Sequence, residues 1–410
     1  SWCSWWGLSP NRWPSCGSTE VKRPRDGNEE RETLEAPRIR DMIHIFIGTK
    51  AQFIKTAPIM MEMTRRGLPY HLIETGQHAA LTADLVGEFG LRGADTLLRA
   101  EASNIATLGQ AALWTSDTLL RLLSSPDRLA EQIFRGQRKG VCLIHGDTLT
   151  TLFSLLYAKR CAIPVAHVEA GLRSYHYFDP FPEELIRLAV MRYSDILFAP
   201  SDWAMGNLGR MGYGGKSINV GGNTVVDTIR FARARYSGLE RPGEPYVVVT
   251  IHRVETLYSS ARLNMIITFL EEIARQRRVL FVLHEPTRKQ LERFDLLGRM
   301  QRNNQVEMMP LQPYLKFLDL LAGADFAVTD GGSIQEECYS LNIPCLIMRA
   351  KTERMEGLGE NAMLAGFSRG RFDEFLKVFP NLKRRGTNLE GISPSSLIAD
   401  HLQQYLESHD

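Results

Sequence analysis

The 410-residue chain lacks the features that mark several large classes of protein. It has no run of about 18 apolar residues, so no membrane-spanning helix is predicted. Its net charge of +2 is too small to favour binding to nucleic acid or to a membrane surface. The six cysteines include no CxxC pair and no companion histidine spacing, so no metal site is predicted.

Two phosphate-binding signatures are also missing. The first predicted strand ends in Gly48-Thr49-Lys50, which is neither GxGxxG nor a Walker loop. This absence counts against NAD and ATP, and no cofactor is predicted. Four cysteines lie in apolar stretches and are predicted to be buried free thiols, which suits a reducing, cytoplasmic setting: Cys142, Cys161, Cys338 and Cys345.

Residues 1–41 differ in composition from the remainder of the chain. They contain four of the six tryptophans, followed by a charged run from Glu20 to Arg40 without helical or strand periodicity. They lack the basic start, apolar core and small-residue cleavage site of a signal peptide. We expect a disordered N-terminal extension, with Met42 a candidate for the true start. A small partner-binding tail is the alternative.

From Met42 onward, short apolar strands alternate with helical patterns, which predicts parallel sheet. The alternation restarts at Tyr246, and the chain length suits two domains. We therefore predict an α/β protein with two Rossmann-like domains, 42–220 and 221–393, facing each other across a cleft. A C-terminal helix over 394–408 is expected to pack back on the first domain.

Ligands of doubly wound sheets bind at the carboxyl ends of the strands, and polar residues cluster there in this sequence. After the strand Phe326–Thr329, glycines 331 and 332 and Ser333 open a helix whose free N–H groups can hold a phosphate. Glu336 and Glu337 lie one turn further on, within reach of ribose hydroxyls. The alternative is a tight turn with an Asp or Ser cap.

Two more acidic segments follow strands of the first domain. Asp147 is a candidate acid or base, although an N-cap is the better interpretation of this residue alone. Beyond the next strand, the segment from Glu169 to Arg187 holds four carboxylates and two arginines. Loops rich in Gly, Pro and aromatic residues hold such charges more often for function than for stability, and a solvated loop with surface ion pairs is the alternative.

Cationic groups stand at other strand ends. His252 is the side chain best able to titrate near neutral pH, although lone histidines are more often structural. Lys50 and Lys55 follow the first strand and can neutralise a diphosphate, or they are a solvated pair that opens a helix. Arg354 follows the strand Cys345–Met348 and adds a cationic contact, unless this segment is a charged surface loop.

Taken together, these segments resemble the UDP-N-acetylglucosamine 2-epimerase family, whose members have the two-domain GT-B fold. The resemblance runs from about Met42 to Gly366. The motifs that carry it occur in family order: Gly48-Thr49, Gln77-His78, His145-Gly146-Asp147-Thr148, His167-Val168-Glu169-Ala170-Gly171-Leu172-Arg173, Pro182-Glu183-Glu184, Gly222-Asn223-Thr224-Val225, His252-Arg253, Gln335-Glu336-Glu337 and Thr352-Glu353-Arg354.

The resemblance implies a role for each matching position. Asp147, Glu169 and Glu183 are the implied acidic catalytic group, and His252 acts beside the leaving diphosphate. Phosphate contacts are implied for Lys55, Arg187 and the helix start at Gly332-Ser333, and a ribose contact for Glu337. Further substrate contacts are implied for Lys50, Gln77, His78, Arg173, His284, Gly331 and Arg354.

The implied reaction is C2 epimerisation of UDP-GlcNAc to UDP-ManNAc by elimination and re-addition of UDP, without a metal or nicotinamide. The resemblance further implies a cytoplasmic homodimer that supplies surface-polysaccharide precursors. Several positions around UDP depart from the family pattern, among them Gln52, Gly331 and Met355, while the carboxylates match. The alternatives are a hydrolysing epimerase that releases UDP and a free N-acetylmannosamine-type sugar, a GT-B glycosyltransferase, and a non-catalytic nucleotide-sugar-binding protein.

Overall fold

The computed structural model describes residues 41–76, 79–99, 108–177, 181–236, 243–352, 354–382 and 389–408. Residues 1–40 of the predicted extension lie outside the described residues, as do Gln77, His78 and Glu353. Within the described part, no helix has the length and apolar character needed to cross a bilayer.

The first lobe is built on a parallel seven-stranded sheet with the order β3-β2-β1-β4-β5-β6-β7. Its strands are nearly continuous apolar runs, as expected where helices cover both faces of a sheet. They are β1 (Met42–Ile47), β2 (Tyr70–Glu74), β3 (Thr96–Leu97), β4 (Gly140–His145), β5 (Val165–Val168), β6 (Ile196–Ala199) and β7 (Ser217–Asn219). The helices are α1 (Lys50–Arg66), α2 (Ala79–Phe89), α3 (Leu108–Arg121), α4 (Pro126–Phe134), α5 (Leu149–Arg160), α6 (Glu183–Tyr193), α7 (Asp202–Arg210) and α8 (Val225–Tyr236).

The second lobe repeats this design with a parallel six-stranded sheet in the order β10-β9-β8-β11-β12-β13. Its strands are β8 (Tyr246–Thr250), β9 (Arg278–Leu283), β10 (Val306–Pro310), β11 (Phe326–Thr329), β12 (Cys345–Ile347) and β13 (Ala362–Leu364). The helices are α9 (Val254–Leu257), α10 (Ser260–Ile273), α11 (Glu285–Arg293), α12 (Leu297–Gln301), α13 (Tyr314–Gly323), α14 (Gly332–Leu341), α15 (Arg369–Val378) and α16 (Pro394–Glu407).

In each sheet the strand order reverses beside the first strand of the lobe. In the first lobe β1 pairs with both β2 and β4, and in the second β8 pairs with both β9 and β11. Such a reversal leaves a crevice at the carboxyl ends of the two central strands, because their following helices lie on opposite faces. The segments predicted to bind ligand leave the sheets at these two crevices.

Helix α8 packs against helices of both lobes, α1 of the first and α13 and α14 of the second. Thr228 Oγ1 donates to the carbonyl oxygen of Ile54 in α1 at 2.8 Å, and Phe231 stacks on Phe89 of α2 with ring centres 5.5 Å apart. The C-terminal helix α16 packs against α1, where Arg66 forms an ion pair of 2.5 Å with Asp400. The last helix of the chain therefore rests on the first lobe.

The predicted alternation of strands and helices is confirmed in both lobes, and the predicted strand Phe326–Thr329 has its predicted bounds. Helix α1 begins at Lys50, where Thr49 and Gln52 form a capping box. The strands β3, β10 and β13 and the helices α2, α4, α6, α7, α8, α9, α11, α12 and α15 were not predicted. The four predicted free thiols are buried and unpaired, which confirms that prediction.

Candidate active site

A close approach of two turns forms the floor of the first lobe's crevice. The β1–α1 turn contains Gly48, and a Cβ atom there would lie 2.0 Å from Thr150 Oγ1 on α5. Gln52 crosses between the turns: its amide nitrogen donates to the His145 carbonyl oxygen at 2.9 Å and to Thr148 Oγ1 at 3.0 Å. Glycine and a buried amide are therefore both needed for this packing.

Asp147 lies on this floor but does not cap α5. The N-cap is Thr148, whose hydroxyl accepts from the Thr151 amide, so the N-cap interpretation of Asp147 is wrong. Asp147 instead forms an ion pair with Arg187 of α6, and Arg187 also contacts Glu184 at 2.7 Å. The second ion pair fixes the guanidinium, so the position of Asp147 is set by α6.

The segment predicted as a loop around Glu183 and Glu184 is the start of α6. Two glutamates in the first turn favour helix at this point because they complement the positive end of the helix dipole. Glu184 is fully buried between Arg173, at 2.5 Å, and Arg187, which excludes the solvated-loop alternative for this part of the segment. Glu183 has a buried Oε2 atom without a hydrogen-bond partner in the described part of the chain.

Glu169 is the most heavily engaged carboxylate of the site. It follows β5 with a φ of 68°, a left-handed conformation that costs a residue other than glycine about 1 kcal/mol or more. Its Oε1 atom lies 2.6 Å from Lys55 Nζ and 3.1 Å from Arg354 Nη1. Burial alone would raise its pKa, but Lys55 and Arg354 outweigh burial and hold the pKa of Glu169 well below its usual range.

His145 lies beside the Glu169 carboxylate in its neutral form. His145 Nδ1 lies 3.7 Å from Glu169 Oε2, and burial lowers the pKa of His145 to about 3. His145 is therefore neutral at physiological pH, and the positive charge that faces Glu169 comes from Lys55 and Arg354.

On the second lobe, His252 follows β8 and faces the start of α14. Its Nδ1 atom lies 3.5 Å from Asp330 Oδ1, and its ring stacks on His284 with centres 4.9 Å apart. Asp330 also accepts from the backbone amides of His252 and Arg253 at 2.9 and 3.0 Å. A Cβ atom at Gly331 would lie 2.7 Å from His252 Cε1, so glycine is required beside this ring.

Helix α14 begins without a side-chain cap. Its N-cap is Gly331, and Asp330 bonds to the β8–α9 turn, so the predicted alternative of an Asp or Ser cap is wrong. The amides of Gly332 and Ser333 consequently stand at an uncapped helix start, which is favourable for an anion.

Glu337 lies one turn into α14 and is buried beside Tyr314. The phenol donates to Glu337 Oε1 at 2.7 Å, while Oε2 has no hydrogen-bond partner among the described residues. Burial raises the pKa of Glu337 to about 7. Lys50 is close enough to lower that pKa and is itself partly buried, which lowers the pKa of the lysine. Lys50 thus places a positive charge of the first lobe near Glu337.

A cavity of about 720 Å³ opens beside these groups where the lobes join. Its lining includes Asn223, Glu336, Tyr339, Met355 and Trp203, from both lobes and the segment between them. Among the described residues, no group of three or more His, Cys, Asp and Glu side chains has an arrangement suited to a metal ion.

The structure thus joins many of the predicted site residues in two groups. Lys55, Glu169 and Arg354 form one group. Glu337, His252 and His284 lie along the second lobe's crevice, near the charge of Lys50 from the first lobe. Arg173 instead contacts Glu184, Tyr175 and Met211, and no described contact joins it to Glu169.

Three residues of the site were not predicted in their present roles. Glu336 was predicted to reach ribose, but its described contacts are Lys55, Arg354 and Asn223. Asn223 and Glu184 occurred only within motifs. A sequence pattern gives no signal for these roles, because each depends on at least one partner more than ten residues distant in the chain.

Comparison with known proteins gives consistent matches over most of the chain. The model of the family described as UDP-N-acetylglucosamine 2-epimerase matches residues 61–377. A UDP-N-acetylglucosamine 2-epimerase of Methanococcus maripaludis is 30% identical over 338 residues, 79% of this chain and 87% of the relative. A UDP-2,3-diacetamido-2,3-dideoxy-D-glucuronate 2-epimerase of Pseudomonas aeruginosa is 29% identical over 371 residues, 87% of this chain and 98% of the relative. The crystal structure of Methanocaldococcus jannaschii UDP-GlcNAc 2-epimerase in complex with UDP-GlcNAc and UDP has a TM-score of 0.74 at 28% identity, covering 89% of this chain and 99% of that one.

Two Rossmann-like lobes with polar crevices at the carboxyl ends of their sheets define an α/β protein of the GT-B-like class. The family match covers more than half of the chain and includes both lobes. The chain belongs to the UDP-N-acetylglucosamine 2-epimerase family of isomerases.

Proposed function

We propose that this protein interconverts UDP-GlcNAc and UDP-ManNAc by elimination and re-addition of UDP. The observation that carries the proposal is the buried Glu169, held ionised by Lys55 and Arg354. Asp147 and Glu183 belong to the same lobe, at the end of β4 and the start of α6, and the uncapped start of α14 lies on the other lobe. An anionic base opposite an anion-binding helix start is what an elimination that expels a diphosphate requires.

The chemistry has two half-reactions that mirror each other. A carboxylate of the group Asp147, Glu169 and Glu183 removes the C2 proton while the C1–oxygen bond breaks. The electron pair of the C–H bond then forms a C1–C2 double bond, and UDP leaves with the electrons of the broken bond. A proton next arrives at C2 on the opposite face, and UDP adds back to C1. Protonation on either face needs carboxyl groups that exist in both forms.

Binding of UDP is assigned to the second lobe. The diphosphate lies at Gly332 and Ser333, with His252 beside it as the group that stabilises the departing oxygen. Glu337 accepts from the ribose hydroxyls through its unpartnered Oε2 atom. Lys50 faces the diphosphate from the first lobe. The further substrate contacts proposed are those of Lys55, Gln77, His78, Arg173, Arg187, His284, Gly331 and Arg354.

The proposal is tested by incubating the protein with UDP-GlcNAc in deuterated water and following the sugar by proton NMR. Deuterium at C2 together with a second UDP-sugar and little free UDP is the expected result. Free sugar and UDP that rise together would instead establish the hydrolysing reaction. Without exchange at C2, the proposal fails for this substrate. A UDP-diacetamido-glucuronate is then the next substrate, because the Pseudomonas aeruginosa relative bears that name.

We further propose that the enzyme acts as a cytoplasmic homodimer with domains at 42–220 and 221–393. Helix α3 carries Leu113 and Leu120, seven residues apart on one face and 74% and 63% exposed, and Leu123 just beyond the helix is 79% exposed. A second copy would cover this face. Light scattering should give twice the monomer mass, and Leu113→Lys with Leu120→Lys should give the monomer mass. The four buried thiols suit a reducing compartment.

A further inference from the structure

Glu169 and Glu336 lie on opposite lobes and share the same three partners. Lys55 Nζ is 2.6 Å from Glu169 Oε1 and 3.1 Å from Glu336 Oε2. Asn223 Nδ2 donates to Glu169 at 2.8 Å and to Glu336 at 3.1 Å. Arg354 Nη1 contacts both carboxylates. Two cations and one amide therefore connect the two acidic groups.

We propose that Glu336 is a positioning residue that sets the basicity of Glu169 by balancing the charge of Lys55 and Arg354. This inference rests on the proposed function, in which Glu169 belongs to the group that moves the C2 proton. Glu336 itself has no assigned contact with the sugar. It acts through the two cations that it shares with Glu169.

The reasoning follows from the charge count of the cluster. With Glu336 ionised, two carboxylates face two cations, and each cation is shared. With Glu336 neutral, both cations face Glu169 alone, so its anionic form is stabilised further and it becomes a weaker base. Proton removal from C2 slows in that state, because the rate of general-base catalysis rises with the basicity of the base.

Stability alone does not explain a carboxylate in this position. Glu336 is only 2% exposed, and a buried ion pair often contributes little net stability because both charges lose their hydration. Burial raises the pKa of Glu336 to about 7, although Arg354 and Lys55 act to lower it. The charged groups that face Glu336 from the surrounding elements are Lys55, Glu169, Arg354, Glu356 and Glu337, together with the phenol of Tyr314.

The balance also requires both lobes. Lys55 and Glu169 belong to the first lobe, whereas Glu336 and Arg354 belong to the second. The cluster of two carboxylates and two cations therefore exists only where the two lobes meet.

The test is the dependence of kcat on pH at saturating UDP-sugar for wild type and Glu336→Gln. Wild type should lose activity below about pH 7, where Glu336 takes up its proton. At every pH, Glu336→Gln should have the low kcat that wild type shows at acidic pH, about 10-fold below the wild-type kcat at pH 8. Its KM should stay within about two-fold of the wild-type KM, and its kcat should show no change near neutral pH. Glu336→Asp should keep the neutral step. Glu374→Gln, which removes an exposed carboxylate on α15 outside the site, should match wild type.

A uniform loss of kcat in Glu336→Gln with the neutral step retained would overturn the proposal, since that is the signature of a merely structural role. Carbon-13 NMR titration of labelled glutamate carboxyl groups gives a readout that needs no activity. Two carboxyls should titrate near pH 7 in wild type, those of Glu336 and Glu337, and each single Gln variant should remove one of them. If the double variant Glu336→Gln with Glu337→Gln still shows a carboxyl that titrates near pH 7, or if Glu336→Gln leaves both signals in place, the inference is overturned even if the C2 exchange of wild type supports the proposed function. If wild type does not exchange the C2 proton of the sugar, the proposed function fails, and the NMR titration still decides whether Glu336 carries the neutral pKa.

Discussion

The side-chain amide of Gln52 donates a hydrogen bond of 2.9 Å to the carbonyl oxygen of His145 and thereby joins the two turns that carry Lys50 and Asp147. The same nitrogen donates to Thr148 and Thr151 at 3.0 Å. Gln52 is one of the positions at which the sequence departs from its family. The structure explains this residue, because its amide nitrogen donates to these three acceptors while its oxygen accepts from the backbone amides of Gly48 and Thr49.

Gln52→Glu removes that donor and places a buried carboxylate against a carbonyl oxygen. We expect the free energy of unfolding to fall by about 1–3 kcal/mol, the usual cost of leaving buried polar groups unsatisfied. Urea denaturation followed by circular dichroism measures this change. Gln301→Glu, on the exposed end of α12, should stay within about 0.5 kcal/mol of wild type. Equal stability of the two variants would contradict the assigned role of Gln52.

Glu169→Gln keeps the size of the side chain and removes its charge and basicity. We expect kcat to fall about 100-fold or more, the usual scale for loss of an acid–base group, with little change in the affinity for UDP. Steady-state epimerisation and calorimetric titration with UDP measure the two effects separately. Turnover close to that of wild type would remove Glu169 from the catalytic group.

His252→Ala removes the ring that stands between Asp330 and His284. We expect a loss of turnover of about 100-fold or more, because the departing diphosphate loses its neighbouring group. The control is His401→Ala on α16, which packs near Phe198 away from the crevices. If both variants retain turnover, the assignment of His252 is wrong.

Glu337→Ala should mainly weaken the binding of UDP by removing the ribose acceptor. Because the pKa of Glu337 is about 7, the carboxylate is ionised above that pH and accepts more strongly there. The affinity of wild type for UDP should therefore decrease as the pH falls from about 8 to about 6. Calorimetric titration of wild type and of Glu337→Gln with UDP over this pH range checks the assignment. The affinity of the variant for UDP should depend less on pH than that of wild type.

Acid should destabilise the protein through buried histidines. His44 and His71 share a hydrogen bond of 3.0 Å between their Nδ1 atoms, and burial lowers their pKa values to about 3 and 4. The unfolded chain binds protons near pH 6.5 whereas the folded protein does not, so stability falls with decreasing pH from there toward pH 4. Each histidine contributes at most about 1.4 kcal/mol per pH unit. Replacing both with valine should flatten the pH dependence of the urea midpoint, and an unchanged slope would contradict this account.

Several parts of the molecule could be predicted from local sequence. The strands were found because buried parallel strands are short, nearly continuous apolar runs bounded by polar residues, as in Tyr246–Thr250. The candidate site was found because the first polar residues after such strands lie at one edge of a sheet, as Glu169 and His252 do. Helices such as α6 were missed because charged residues of opposite sign obscured their periodicity.

The sequence by itself determined the α/β class, the alternation of most strands with helices and the carboxyl-end position of the acidic residues, because each of these depends on residues close together in the chain. Only the tertiary structure decided which charges meet. Lys55 and Glu336 are 281 positions apart in the numbering yet 3.1 Å apart in space, and the partners of Asp147 and Glu169 come from other elements. Such pairs depend on how two sheets and their helices pack, and no local pattern encodes that packing.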